Sequence, residues 1–114
     1  IALITDAMAA AGSTDGDYRL GSLNVTVTDG LAVLSGTSSI AGSTLTQDAA
    51  LRIAVTRARL DPKSAVEALT ATPARALGRD HELGRLRAGF AADAVLLDHE
   101  WHVRRVWAAG APIA

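Results

Sequence analysis

Asp6 is the residue best placed for chemistry in this chain. It stands where a short apolar run, residues 1–4, gives way to small and polar residues. A short aliphatic run of this kind predicts a buried parallel strand, and in α/β barrels the catalytic groups lie at the C-terminal ends of such strands. The pattern therefore makes Asp6 a candidate proton-transfer group. On these few residues alone, the simpler interpretation that Asp6 only shapes a turn is favoured.

A second candidate is the short loop Ile40, Ala41 and Gly42, which precedes a predicted helix start. Small residues let a backbone approach a ligand closely, and the first N–H groups of a helix are available to oxygen ligands. The alternative is that this loop is only the lead-in to a capped helix. On the residues alone that alternative is favoured.

The three histidines, His81, His99 and His102, are the candidate metal ligands by residue type. His99 and His102 are three apart in a region predicted as strand, so their side chains point to opposite faces. His81 stands alone in a polar turn. We therefore expect all three to be solvated or structural, and we assign no metal ligand in this chain.

Composition excludes several classes of function. The 114 residues carry a net charge of −1 and no cysteine, with 49% hydrophobic and 20% charged residues. A near-neutral chain gives no electrostatic case for binding nucleic acid or an anionic membrane, and thiolate metal sites and disulfides are excluded. No apolar stretch approaches the roughly 20 residues of a membrane helix. We expect a globular cytoplasmic protein, and the apolar start at Ile1 suggests a piece of a longer one.

Three kinds of local pattern position the candidate residues. Alternating residues around an Asp29-Gly30 turn predict a hairpin over residues 18–35. A capping box from Thr44 to Gln47 begins a helical region over residues 44–78, with further starts at Asp61-Pro62 and Thr72-Pro73 and a stop at Gly78. Short strands are predicted at residues 84–86, 94–97 and 102–108.

This order of elements predicts an α/β fold that is incomplete by itself. A closed parallel barrel needs about 250 residues, so we expect the C-terminal part of a (β/α)8 barrel followed by the C-terminal strands of a small β-sandwich. The helical period stops at Arg79. The predicted division is therefore residues 1–80 for the barrel portion and residues 81–114 for the sandwich.

Three blocks of sequence carry a resemblance to a known family. The first is Ile4-Thr5-Asp6-Ala7-Met8 followed by Gly12 and Tyr18-Arg19-Leu20-Gly21, the second is Ser39-Ile40-Ala41-Gly42-Ser43-Thr44-Leu45-Thr46, and the third is Gly84-Arg85-Leu86-Arg87-Ala88-Gly89-Phe90-Ala91-Ala92-Asp93-Ala94-Val95. The third block resembles many amidohydrolases that carry a small β-sandwich beside the barrel. With the first two, the chain resembles the N-acetylglucosamine-6-phosphate deacetylase family.

The resemblance implies a metal-dependent hydrolase that removes acetate from N-acetylglucosamine 6-phosphate. It implies that Asp6 is the proton shuttle and that Ile40, Ala41 and Gly42 bind the amino-sugar phosphate. It also implies a divalent cation such as zinc, held by a Glu and His residues on earlier strands that are not in this chain, and a homodimer. These 114 residues alone are therefore expected to be inactive.

Two alternatives stay open. A non-catalytic binding or interaction module fits the short length and the missing ligands. Another amidohydrolase, such as a dihydroorotase or deaminase relative, would share the third block and the strand-end acid. It would not be expected to share residues 39–46.

Overall fold

The computed structural model describes residues 1–113 and divides into two compact units. One unit is Thr5–Gln47, and the other combines Ile1–Ile4 with the chain from Asp48 onward. The model is mixed α/β, as predicted. These units do not test the predicted division into a barrel portion and a sandwich portion at residue 80, which stays a prediction.

The first unit is built around a three-stranded antiparallel meander. Its strands are β1 (Gly16–Leu20), β2 (Leu23–Thr28) and β3 (Leu31–Leu34), in that order in the sheet. The β2–β3 turn consists of Asp29 and Gly30, with φ of 50° and 74°, which is the conformation that a two-residue hairpin turn requires. The predicted hairpin is confirmed. The prediction was incomplete, because the chain turns a second time at Gly21 and adds β1.

One face of this sheet carries the core of the first unit. Val25 and Val27 on β2 are 0% and 3% exposed, as their alternation with polar neighbours predicts. They cluster with Ala32 of β3 and with Met8 and Ala41, which lie outside the strands. Two segments that hold candidate site residues are thus anchored in one core.

Three short helices follow the meander: α1 (Gln47–Thr56), α2 (Pro62–Leu69) and α3 (Ala71–Ala76). Asp61 caps α2 as predicted, because its carboxylate accepts a hydrogen bond from the Ser64 N–H at 3.0 Å. The bonds from Ser64 lower the pKa of the Asp61 carboxyl. Gly78, with φ of 70°, ends the region after α3 as predicted.

Two predicted helix starts are wrong in position. Helix α1 begins at Gln47 and not at Thr44, because the Thr44 hydroxyl donates to the Gly30 carbonyl at 2.6 Å and so belongs to the turn of the meander. Helix α3 begins at Ala71, so that Thr72 and Pro73 lie inside its first turn. Proline is tolerated there because the first N–H groups of a helix have no intrahelical partner.

The C-terminal region forms a second antiparallel sheet. Its strands are β4 (Ala94–Leu97), β5 (Val103–Ala108) and β6 (Ala111–Pro112). The first two were predicted and β6 was not. The strand predicted at residues 84–86 is wrong, because the chain turns there: Gly84 has φ of 83°, and a Cβ on it would lie 2.8 Å from the Thr70 carbonyl oxygen.

The strand predicted from the apolar run at residues 1–4 is not formed. No strand is formed before Gly16 in the part of the chain that the structure describes. The Leu3 N–H donates to the Ala68 carbonyl at 2.9 Å, and the Leu3 side chain packs beside Leu51 and Ala65. Ile1 and Ile4 are 99% and 75% exposed. A strand needs a ladder of partners, and these residues have none among residues 1–113.

Helices long and apolar enough to cross a lipid bilayer are absent from residues 1–113.

Candidate functional site

Asp6 lies on an exposed segment of irregular backbone. Its φ is 51°, in the left-handed region that non-glycine residues seldom occupy and that asparagine and aspartate tolerate best. Its carboxylate makes no hydrogen bond or ion pair with any other part of residues 1–113. The backbone at Asp6 is therefore constrained, while its acidic group is free to meet a ligand.

The loop of Ile40, Ala41 and Gly42 runs along the edge of the meander. Ile40 forms an antiparallel bridge with Val33 of β3, and the Ala41 N–H donates to the Ala32 carbonyl at 3.0 Å. Ala41 is buried, whereas the Ile40 side chain is 70% exposed. The sheet thus fixes one side of the loop and leaves the Ile40 side chain accessible.

The other side of this loop is hydrogen-bonded to the segment that carries Asp6. Ser43 forms a parallel bridge with Ala7. The Ser43 N–H donates to the Asp6 carbonyl at 2.8 Å, and the Met8 N–H donates to the Ser43 carbonyl at 2.9 Å. The Ser43 hydroxyl donates to the Thr5 carbonyl. Ser43, the residue directly after the loop, is therefore hydrogen-bonded to Thr5, Asp6 and Met8.

Gly42 packs directly against the Asp6 segment. Its φ is 71°, and a Cβ placed on it would lie 3.1 Å from the Asp6 carbonyl oxygen and 3.2 Å from Met8 Cβ. Any other residue here would be strained in its own backbone and would crowd both neighbours. Glycine is favoured at this position because the two segments touch.

The structure thus brings together the residues that the sequence selected. Asp6 and Gly42 are neighbours, and Ile40 and Ala41 continue from Gly42 toward β3. Their roles in catalysis and substrate binding stay predictions. One argument for the loop is weakened, because α1 begins at Gln47 and its first N–H groups do not follow Gly42 directly.

Ser43 is the residue that the sequence did not single out. Its contact with Thr5 spans 38 positions in the chain, and no local pattern encodes a contact of that range. A serine after a glycine is typical of any loop before a helix. Only the folded structure shows that this serine holds the candidate acid.

The described residues contain one cluster with the composition of a metal site: Asp98, Glu100 and His102, whose ligand atoms lie within 4.8 Å of one another. The Asp98 carboxylate is hydrogen-bonded within the turn between β4 and β5. Its Oδ1 accepts the N–H groups of Glu100 and His102, both at 2.9 Å, and its Oδ2 pairs with Arg104 at 2.7 Å. The bond from the His102 N–H contributes most to lowering the pKa of the Asp98 carboxyl.

These contacts give Asp98 a structural role in the turn. The Asp98 side chain is 11% exposed, and Glu100 and His102 are 65% and 51% exposed. Asp98 therefore shapes the turn between β4 and β5. Within residues 1–113, Asp6 belongs to no cluster of three metal-ligating side chains.

Comparison with known proteins gives a consistent family relationship. The model of the amidohydrolase family matches residues 7–112. The chain is 43% identical over 110 residues to N-acetylgalactosamine-6-phosphate deacetylase of Escherichia coli O157:H7, covering 96% of this chain and 29% of that protein. It is 37% identical over 111 residues to N-acetylglucosamine-6-phosphate deacetylase of Bos taurus, covering 96% of this chain and 27% of that protein.

A solved structure agrees with these sequence relatives. It is an aspartate-to-alanine variant of N-acetyl-D-glucosamine-6-phosphate deacetylase from Mycobacterium smegmatis, in complex with N-acetyl-D-glucosamine-6-phosphate. The match has a TM-score of 0.87 at 45% identity and covers 97% of this chain and 30% of that one. The chain therefore spans less than a third of the length of each of these three proteins.

Proposed function

The chain belongs to the amidohydrolase family, and on that basis we propose that the complete protein containing it removes acetate from N-acetylglucosamine 6-phosphate. Water adds to the acetyl carbonyl carbon, the C–N bond breaks, and the products are acetate and glucosamine 6-phosphate. The observation that carries the proposal is the contact between two segments: the exposed carboxylate of Asp6 lies on a backbone that is bonded to the loop of Ile40, Ala41 and Gly42.

Asp6 is proposed to move the proton that this reaction requires. Hydrolysis of an amide needs a base to take a proton from water and an acid to give one to the leaving amine, and a single carboxylate can do both in turn. The Asp6 carboxylate is exposed and has no partner among residues 1–113. Its backbone is held on both sides of the residue. This combination positions a group while leaving its protons free to exchange.

The loop is proposed to contact the sugar. The exposed Ile40 side chain supplies apolar surface. Sugar rings present apolar C–H faces between their hydroxyl groups, so an exposed aliphatic side chain fits such a ligand. The Ala41 side chain is buried, so Ala41 contributes through its backbone.

A divalent cation supplies a water of lowered pKa and polarises a carbonyl. Since the described residues around Asp6 offer no ligand cluster, we propose that the ligands of this cation lie outside these 114 residues. A homodimer, which the family resemblance implies, and a cytoplasmic location, which the composition favours, belong to the same proposal.

A second candidate substrate is N-acetylgalactosamine 6-phosphate. It is favoured by the relative from Escherichia coli O157:H7, which is 43% identical to the chain. The relative from Mycobacterium smegmatis, at 45% identity, favours the glucosamine substrate by a similar margin. The two sugars differ only in the configuration at C4, and the same proton-transfer step serves both.

The test is acetate release by the complete, metal-loaded protein. Three substrates are compared: N-acetylglucosamine 6-phosphate, its galactosamine epimer, and N-acetylglucosamine without phosphate. We expect the highest kcat/KM with the first and a large loss without phosphate. A higher kcat/KM with the epimer would identify the second candidate. No acetate from either phosphorylated sugar would reject the proposal and favour a non-catalytic module.

A further inference from the structure

The Ser43 hydroxyl makes one local and one long-range hydrogen bond. It accepts from the Leu45 N–H at 3.1 Å, two residues on. It donates to the carbonyl of Thr5, the residue immediately before Asp6. The side chain is half-buried, so both bonds are partly shielded from water.

The backbone of Ser43 adds a second attachment, on the other side of the Asp6 Cα. Its N–H donates to the Asp6 carbonyl at 2.8 Å. Ser43 therefore donates hydrogen bonds to the carbonyls on both sides of the Asp6 Cα, those of Thr5 and Asp6. The Asp6 φ of 51° is an unfavourable conformation for a non-glycine residue, and such a conformation persists where surrounding contacts enforce it.

Thr37 offers a natural comparison within the chain. Its hydroxyl also accepts from an N–H two residues on, that of Ser39 at 3.1 Å, and donates to a carbonyl, that of Leu34 at 2.9 Å. Both of these bonds stay within the turn that follows β3. The two hydroxyls thus have the same bonding pattern, and only that of Ser43 reaches the Asp6 segment.

We propose that Ser43 is a positioning residue, which fixes the Asp6 carboxylate relative to the loop of Ile40, Ala41 and Gly42. This inference rests on the proposed function. Ser43 follows that loop directly and is also bonded to Asp6. It would therefore fix the distance between a sugar bound by the loop and the carboxylate that transfers the proton. Loss of the Ser43 hydroxyl would free the Thr5 carbonyl and let the Asp6 backbone relax, while the bond from the Ser43 N–H remains.

The test compares single variants of the complete, metal-loaded protein. Small misplacements of a catalytic group cost up to about 10²-fold in rate, so we expect Ser43→Ala to lower kcat about tenfold and leave KM within about threefold. Ser43→Thr should restore most of the lost turnover because it keeps a hydroxyl. Thr37→Ala, the matched control, should leave kcat within about twofold even if its Tm falls as much as that of Ser43→Ala.

A double variant separates positioning from general destabilisation. If Ser43 acts through Asp6, the Asp6→Asn/Ser43→Ala protein should show the same residual turnover as Asp6→Asn alone. A further tenfold loss in the double variant would overturn the inference, as would full turnover in Ser43→Ala. If Ser43→Ala does not fold, Ser43→Cys, which weakens the hydrogen bond at similar volume, is measured with the same expectations.

The outcomes also distinguish this inference from the proposed function. Full turnover in Ser43→Ala beside a large loss in Asp6→Asn would reject only the role of Ser43. Undiminished turnover in Asp6→Asn would reject the role of Asp6, and that of Ser43 with it.

Discussion

The N–H of Ser43 and the carbonyl of Asp6 are 2.8 Å apart, and this bond joins a candidate acid to a candidate sugar-binding loop. The two residues are 37 positions apart in the sequence, yet the loop that ends at Gly42 and the segment from Thr5 to Met8 run side by side. The backbone of Asp6 is therefore held beside the loop, and Met8 and Ala41, one from each segment, lie in one core.

Gly42→Ala should reduce activity more than Gly36→Ala does. Both glycines have positive φ, 71° and 78°, so each alanine costs about 1–2 kcal/mol in backbone strain. The space around Gly36 is open, whereas a Cβ at Gly42 would meet the Asp6 carbonyl oxygen at 3.1 Å. We expect a loss in kcat of about tenfold or more for Gly42→Ala only. Steady-state kinetics and thermal melts of both variants check this, and equal kcat values would contradict it.

Asp98→Asn should change the acid stability of the protein. The folded-state pKa of the Asp98 carboxyl lies below its ordinary value of 3.8, chiefly because the His102 N–H donates to it. Its stabilising effect is therefore complete above about pH 3.8 and is lost as pH falls through the lower folded-state pKa. In the wild type this gives a fall in Tm at acid pH that Asp98→Asn should lack in part. An identical dependence of Tm on pH in both proteins would count against this assignment.

His99→Gln and His102→Gln should leave turnover within a few-fold and metal content unchanged. His102 is paired with the turn at Asp98, with its Nδ1 3.7 Å from Asp98 Oδ1, and neither histidine is assigned a ligand role. Metal analysis of each purified variant is the direct measurement. A lower metal-to-protein ratio in either variant would show that the turn at Asp98 does bind a cation.

The 114-residue chain alone should release no acetate from N-acetylglucosamine 6-phosphate. The described residues around Asp6 provide no metal cluster, and a carboxylate without an activated water has little to act on. The assay is run with added zinc and with the complete protein as the positive control. Turnover by the chain alone, in proportion to its concentration, would mean that these residues hold a complete site.

Local patterns predicted the elements whose signals lie within a few residues. Asp29-Gly30 fixes its own turn, and Asp61-Pro62 and Gly78 mark helix ends through their own backbone chemistry. Thr44 misled the prediction because a cap and a long-range bond need the same hydroxyl. The strand predicted at residues 1–4 is not formed, for a related reason. An apolar run indicates that a segment can be buried, but pairing with neighbouring strands decides whether it becomes a strand.

The candidate site was selected by sequence only in part. Asp6 and the loop of Ile40, Ala41 and Gly42 were picked through a family resemblance, and nothing in their spacing predicted that they touch. The preference for glycine at position 42 and the attachment made by Ser43 both arise from a parallel contact between distant segments. Contacts of that kind have no local signature.

The kinetics of Asp6→Asn in the complete, metal-loaded protein are the most direct test of the account. Asparagine keeps the size of the side chain and tolerates the left-handed backbone at this position, so fold and metal content should be retained while proton transfer is lost. Since general acid–base groups contribute about 10²- to 10⁴-fold, we expect kcat to fall by that factor with KM little changed. Near-normal kcat with metal bound would contradict the assignment of Asp6 as the proton-transfer group.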